Sequence, residues 1–594
     1  MWRGARWALL LAALGIGQTL AQTPPPSQGN GSLSGRVLDG ATGQPVAGAD
    51  VILDAPQGTR GGAPPGRTTS TDAKGEFTFR DVAPGTRRVD ATKEGYRRGY
   101  AGGMTASEQF QREPIQLSSG EQLSGVVVRL WRGASVAGHI RMASGTPLVR
   151  AKVYAMRVVA SCGVERLSLS GPLVTTDDTG AYRFFDLAPD RYVIEVEGGA
   201  MSTVESVSRT QSGALPTTYA PGVVAPALAQ AIALAAGDDR LDADVVIPAG
   251  GFSIHGRAVI GDPPGSAGVH RIELLSASQG PIATHPVARA FSDPDGRFVF
   301  PRVPPGSYVV RIVEFPPVPS AGISQTGGGG FSMKSSSQGL PLPPAPDAPT
   351  WWGQERIDIA DRDADTTVGL REGWRIQGQV TFNAANGGPP AAQLESMPVL
   401  TFRSDGADLG GTMPAGRVET NGRFTTAALP PGRYVLSVLP AFPSPTPANT
   451  GLSLQAVRSG GRDVTGSSIE VNGTDVRDVT LVFTDRAPVV AGTVQATADL
   501  APFGARYYVF PTDEAFWSEC GFGSVRFSTG SVQPDGRFRA RAVPPGEYFV
   551  AAAIGADDSW IRTDFLRSLV PFAQRVKLAL GDTQTVTLKA RPRQ

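Results

Sequence analysis

The sequence predicts an all-β protein, a tandem array of about five antiparallel, seven-stranded β-sandwich modules. Three observations carry this. Short stretches with alternating apolar residues recur along the chain, and no convincing long helical pattern interrupts them. Glycine (73) and proline (50) make up about a fifth of the 594 residues, which supplies the turns that many short strands need. One turn-strand-turn-strand pattern returns five times.

The copy at 292–310, SDPDGRFVFPRVPPGSYVV, shows the pattern most plainly. Asp293, Pro294, Asp295 and Gly296 fill the four places of a type I turn in order. Phe298 and Phe300 then share one face of a strand. Pro304-Pro305-Gly306 makes a second turn, with proline presetting φ and glycine accepting a positive φ, and a strand resumes at Ser307. A calcium loop does not fit. An EF-hand places Gly sixth and Glu twelfth, whereas here Gly296 is fourth and Pro304 twelfth.

The other copies read TDAKGEFTFRDVAPGTRRV (71–89), TDDTGAYRFFDLAPDRYVI (176–194), ETNGRFTTAALPPGRYV (419–435) and QPDGRFRARAVPPGEYFV (533–550). The turn glycines are Gly75, Gly180, Gly296, Gly422 and Gly536, about 115 residues apart, and each is expected to join two antiparallel strands. A second glycine lies 40 to 44 residues upstream of each: Gly35, Gly138, Gly256, Gly378 and Gly492. Inside a strand, such a glycine marks a bulge or a close backbone approach. Each copy ends in an alternating strand, a polar turn and a last strand. The modules are therefore placed at 32–130, 131–248, 249–371, 372–484 and 485–594. About 100 residues suffice for a two-sheet core. Gly, Ser and Pro dominate an insertion at 315–349 in the third module, and it reads as a mobile loop; a shorter insertion sits in the second.

The first residues are short and basic, then apolar from Trp7 to Gly17, and Thr19-Leu20-Ala21 resembles a cleavage site. This reads as a secretory signal peptide at 1–21, followed by a flexible leader at 22–31. The apolar core is too short to span a bilayer, and no later stretch is long enough, so the mature chain is expected to be soluble and exported to the periplasm, outer surface or medium. A net charge of +1 gives no electrostatic case for nucleic acid or an anionic membrane.

The first module, with SGRVLDGATGQPVAGADVIL followed by TSTDAKGEFTFRDVAPG, resembles the carboxypeptidase regulatory-like domain. The resemblance implies a transthyretin-like, carbohydrate-binding-like β-sandwich. It weakens along the chain: Glu419 and Gln533 replace the turn acid in the fourth and fifth modules. In zinc carboxypeptidases the domain is a non-catalytic companion, and it also extends some outer-membrane receptors. Neither a peptidase domain nor a membrane barrel is expected from the residues that follow. The motif residues belong to turns and cores and are silent on function.

No catalytic constellation is apparent, and neither an enzyme nor a cofactor is expected. Of four histidines, His270 forms a His-x-x-Glu with Glu273, but three residues apart on a strand point to opposite faces. A zinc site needs three converging ligands, and the only later histidine is His285, so His270 reads as a half-exposed strand residue. The turn acids Asp72, Asp177 and Asp293 come one per module, not in the pairs that glycosidases need. Lys152, beside Arg150, is the one early-strand lysine, and an isopeptide crosslink is not expected there. Cys162 and Cys520 occupy matching places in two distant modules and read as separate thiols.

Aromatic residues in loops are the remaining hint. Trp351 and Trp352 follow the insertion, and Tyr219 and Trp560 occupy corresponding loops. Flat rings there either stack on sugars or pin the loops down. Three functions compete: a non-enzymatic structural or binding protein of the bacterial envelope, a carbohydrate-binding protein using these aromatics, and an accessory array of a peptidase or receptor system. The partners considered are a polysaccharide and an envelope protein.

Overall fold

The computed structural model describes residues 30–54, 66–103, 114–161, 164–169, 173–197, 215–261, 265–266, 269–278, 282, 286–316, 322–325, 331–334, 348–385, 387–388, 394, 397, 399–404, 409, 413–438, 452–495, 505–517, 525–540, 542–554 and 563–591. The signal peptide, most of the insertion at 315–349, Cys162, Cys520, His285 and Trp560 lie outside the described residues.

Strands dominate. Among the described residues, five large apolar clusters follow one another, at positions 33–130, 134–247, 254–370, 376–483 and 490–590. In the first, inward residues of Gly31–Asp39, Glu76–Val82 and Gln122–Leu130 meet Val51, Leu53, Val89 and Ala91 from a facing sheet. This is a two-layer sandwich made by strands with one apolar face.

Most strand pairs are antiparallel, but in every core the first strand pairs in parallel with the last. Gly31–Asp39 pairs with Gln122–Leu130, Phe252–Ile260 with Ala364–Glu372, Ile376–Asn383 with Val476–Thr484, and Val489–Gln495 with Thr583–Arg591. In the second core Ala134–Met142 pairs with Asp239–Arg240 and Val245–Ile247. A parallel partner needs a crossover, and here the facing sheet supplies it.

The upstream glycines sit where that last strand crowds the first. A Cβ at Gly35 would come 1.9 Å from Val126 O, at Gly138 2.3 Å from Ala243 O, at Gly378 1.7 Å from Val479 O and at Gly492 2.2 Å from Val586 O. At Gly256 it would instead strike the Phe298 ring at 2.0 Å.

The turn glycines have φ between 71° and 83°, the left-handed region. The turn acids act inside the turn: Asp72 Oδ1 accepts the N–H of Lys74 and Glu76 at 2.9 and 2.8 Å. In the fourth and fifth copies Asn421 and Asp535 accept the corresponding strand N–H, from Arg423 and Arg537. Each turn glycine carbonyl also accepts an N–H from the first strand, at 2.8 Å in all five cores, from Val37, Ile140, Ala258, Val380 and Val494. Among the described residues the flanking strands pair with each other only in the fourth core, Arg417–Val418 with Arg423–Thr425. In the other four the turn carries the chain from one pairing set to another; Arg67–Ser70 joins Asp50–Leu53, while Glu76–Val82 joins Gly31–Asp39. A type I turn fixes a reversal of direction, not which strand the returning segment pairs with.

The second turn holds a tyrosine that the sequence pattern does not single out. Tyr192, Tyr308, Tyr434 and Tyr548 each donate a hydrogen bond to the carbonyl four residues earlier, at 2.7 to 2.9 Å. In the first core Arg87 takes this place and donates to Pro84 O at 3.0 Å.

Side chains tie each core to the next. Trp131, 8% exposed, packs on Ala188, and Arg97 pairs with Asp186 at 3.1 Å. Ile282 enters the cluster of Met156, Val158, Leu167, Val193 and Tyr219. Trp352 meets Trp374 with ring centroids 5.9 Å apart. Arg526 donates to Thr465 O at 2.5 Å and lies over Phe516.

Candidate binding site

The third core presents one rung of polar side chains across four strands: Pro286–Phe291, Arg271–Ser276, Gly306–Glu314 and Trp351–Ile359. The register sets Arg289, Glu273, Arg311 and Gln354 side by side. Their neighbours Ile272, Leu274, Val310 and Ile312 face the core, so strand alternation sends the rung to the opposite face. Glu273 is 3% exposed and meets Arg311 at 2.7 Å, Arg289 at 3.4 Å and Arg271 at 3.8 Å. Burial pushes its carboxyl up, but Arg311, with Arg271 and Arg289, more than offsets this and holds it below the usual range.

Trp351 and Trp352 belong to this sheet, not to a loop. Trp351 lies opposite Glu314 and packs on the third core. Trp352 lies opposite Val313 and points to the rung face. There a cavity of about 120 Å³ is lined by Arg311, Val313, Trp352, Gly353 and Gln354 on one side and by Arg403, Leu409, Pro430 and Pro431 of the next core on the other. The Trp352 Nε1–H is buried and has no hydrogen-bond partner among the described residues. Arg403 donates to Pro431 O at 3.2 Å and lies over the Tyr434 ring. No carboxylate is among the described lining residues. The arrangement offers donors set between apolar walls.

The other end of the rung reaches the second core. Tyr219, expected in an exposed loop, is 1% exposed in the short strand Thr218–Tyr219, cross-strand from Glu195. Ile282 of the third core covers it, and neither local sequence nor turn composition encodes that cover. Burial pushes the Glu195 carboxyl up to about 7, against the lowering effects of the Tyr219 hydroxyl and Arg289. Burial also pushes the Tyr219 hydroxyl up.

Because the folded state of Glu195 takes up its proton more readily than the ordinary value of 4.5, its contribution is full below pH 4.5 and is lost as pH rises through 7. Glu195→Gln, which mimics the protonated form, is expected to match the parent at pH 5. At pH 8 the variant should be more stable by about 1–3 kcal/mol in calorimetry. An equal difference at both pH values would refute this.

His270, expected half-exposed, is 6% exposed and hydrogen-bonded through Nδ1 to Glu314. Its N–H donates to Ser292 Oγ at 2.8 Å, so it is bound at the strand entrance rather than displayed. Glu355 and Arg356, which follow the tryptophans, are exposed. Sequence reading missed Arg289, Arg311, Gln354, Arg403 and Glu195. The one available signal was Glu273 inside the apolar run HRIELL, a charge that needs buried partners.

The model of the carboxypeptidase regulatory-like domain matches residues 32–129. No curated protein matches the chain in sequence. Among solved structures, the Bacillus anthracis TIE protein is 13% identical, with 74% of this chain and 69% of that one covered and a TM-score of 0.13. A streptococcal ancillary pilin is 12% identical, with 57% and 98% covered and a TM-score of 0.17. BcpA, the major pilin subunit of Bacillus cereus, is 11% identical, with 58% and 99% covered and a TM-score of 0.13. Scores this low carry no argument about role.

Proposed function

We propose, from a chain whose residues 32–129 match the carboxypeptidase regulatory-like domain, that this is a non-enzymatic, exported array of five β-sandwich modules. It serves in the bacterial cell envelope as a spacing and binding protein. The observation that carries this reading is the set of side-chain ties between successive cores, through Trp131, Ile282, Trp352 with Trp374, and Arg526. Modules on free linkers need no such contacts, whereas a spacer does. Small-angle scattering of the mature chain should report one stiff particle. Trp131→Ala with Arg526→Ala should loosen it. A parent chain that already scatters as a flexible string would overturn the reading. The same preparation is expected to hydrolyse no peptide substrate and to hold no stoichiometric zinc. Zinc retained by the parent and lost in His270→Ala would count against it.

Carbohydrate binding is the second reading, favoured by the cavity beside Trp352. Trp351 and Tyr219 leave this reading, because both are used in packing.

A further inference from the structure

We infer that Asn472 is a site of spontaneous covalent modification: it deamidates ahead of the other described asparagines and puts a new carboxylate, aspartate or isoaspartate, before the last strand of the fourth core, Val476–Thr484.

The chemistry needs only water. Asparagine is among the thermolabile residues. The main-chain nitrogen of the next residue gives its proton to water or hydroxide and attacks the side-chain Cγ. A bond from that nitrogen to Cγ forms, the bond from Cγ to Nδ2 breaks, and ammonia leaves, which closes a cyclic imide. Water then opens the ring. Cleavage at Cγ gives aspartate. Cleavage at the main-chain carbonyl gives isoaspartate, in which the chain runs through Cβ and Cγ. Nothing is oxidised or reduced. A following glycine favours the attack, because it has no Cβ in the way and reaches backbone angles closed to other residues.

Asparagine precedes glycine at 30–31, 386–387, 421–422 and 472–473. Asn386 lies outside the described residues, and the structure separates the other three. Gly31 is buried in the strand Gly31–Asp39, opposite Val82, which fixes the main chain after Asn30. In the turn of the fourth core both reacting groups are engaged. The Gly422 N–H donates to Glu419 O at 2.9 Å. Asn421 Oδ1 accepts the Arg423 N–H at 2.8 Å, and its Nδ2 donates to Glu419 Oε2 at 3.2 Å. Asn472 differs on each count. It is exposed, as are Gly473 and Thr474, between Ile469–Val471 and Val476–Thr484. Neither its side chain nor the Gly473 N–H has a hydrogen bond among the described residues. Gly473 has a φ of 85°, and among the described residues nothing lies within 4 Å of an added methyl, so the nitrogen has room to turn onto Cγ.

The position gives the change a consequence. Asp475 accepts the Arg375 N–H at 2.9 Å, and the Val476 N–H donates to Arg375 O at 2.9 Å. Arg375 also donates to Ala348 O at 3.0 Å, just ahead of Trp351–Ile359 in the third core. Isoaspartate lengthens the main chain three residues before Asp475, where the strand that closes the fourth core against Ile376–Asn383 begins. The joint between the third and fourth cores therefore loosens as the chain ages.

The test holds the mature full-length chain warm at mildly alkaline pH, then maps tryptic peptides by mass spectrometry, with enzymatic methylation marking isoaspartate. Peptide 463–477 carries Asn472 and peptide 418–423 carries Asn421. Asn472 should convert at least about tenfold faster than Asn421, whose hydrogen bonds must first break. In urea the two rates should converge, since both sites are then Asn-Gly in an open chain. Asn472→Asp supplies the charge without the longer main chain, and should melt like the fresh parent, whereas the isoaspartate form should melt lower in the fourth core. Equal rates in the native chain, or an Asn472 that stays unconverted, would overturn the assignment. A converted chain that melts like the fresh one would overturn the effect on the joint.

Discussion

Replacing Gly378 with alanine should cost the fourth core at least about 3 kcal/mol, the upper end of ordinary overpacking. The added methyl would lie 1.7 Å from Val479 O and 2.9 Å from Phe424 Cε1. Neither neighbour can swing away. Val479 is backbone in the parallel last strand, and Phe424 is a core ring, 1% exposed. The register also slips here: Ile376 pairs with Val476, and Gly378, two residues on, pairs with Val479. The slip pushes the Val479 carbonyl into the space a side chain would need. In calorimetry of the full chain, the transition of the fourth core should fall by more than about 10 °C or vanish, since each kcal/mol is worth roughly 4–8 °C in a domain of this size. Gly387→Ala is the control. Unlike Gly378, Gly387 has a positive φ, 74°, and among the described residues nothing lies within 4 Å of its added methyl. It should cost only about 1–2 kcal/mol, from the left-handed backbone alone. Equal losses at the two positions would rule out the crowding explanation.

Glu273→Ala is expected to destabilise the third core by about 3–5 kcal/mol, because it strands buried positive charge. Arg311, Arg289 and Arg271 all lie within 4 Å of that carboxylate, at 2.7, 3.4 and 3.8 Å. Glu273→Gln should lose nearly as much, which would show that charge rather than volume is at issue. Pairing Glu273→Leu with Arg311→Met should recover part of the loss, since an apolar pair can replace a buried ion pair at little cost. The pH dependence has the opposite sign to that of Glu195. Glu273 is held below the ordinary 4.5, so its contribution is present above that pH and is lost as acid titrates it. The third core should therefore weaken in acid, and its junction with the second should weaken towards alkaline pH. A Glu273→Ala chain that melts like the parent at pH 7 would remove the basis for the argument.

What the sequence made legible depended on how local the cause was. Asp72, Gly75 and their four counterparts were readable as turns because the hydrogen bonds that make the turn lie within five residues. The upstream glycines were readable as places of close approach, but not what approaches: Val479 lies about a hundred residues from Gly378. Trp351 and Trp352 read as loop residues because a Gly/Ser/Pro run precedes them. Yet Ile357 and Ile359, two apart and both buried, already carried the alternation of the strand they begin. Tyr219 was beyond reach, since its burial comes from Ile282 of another core, and Glu273, legible as a charge in an apolar run, did not reveal which arginines on neighbouring strands meet it. The cavity falls in the same class. Half of its wall belongs to a different core, and no local pattern announces a neighbour.

The parallel pairing of first and last strands also has a mechanical consequence. Val489–Gln495 and Thr583–Arg591 run side by side in the same direction over seven residue pairs. Tension drawn through the chain pulls the start of one strand and the end of the other in opposite senses, along their length. The ladder is then loaded in shear: its hydrogen bonds share the force and must yield together, where a hairpin pulled from its open end would unzip one bond at a time. Every core repeats this closure, so a chain strung between two anchors has no core whose terminal strands simply peel apart.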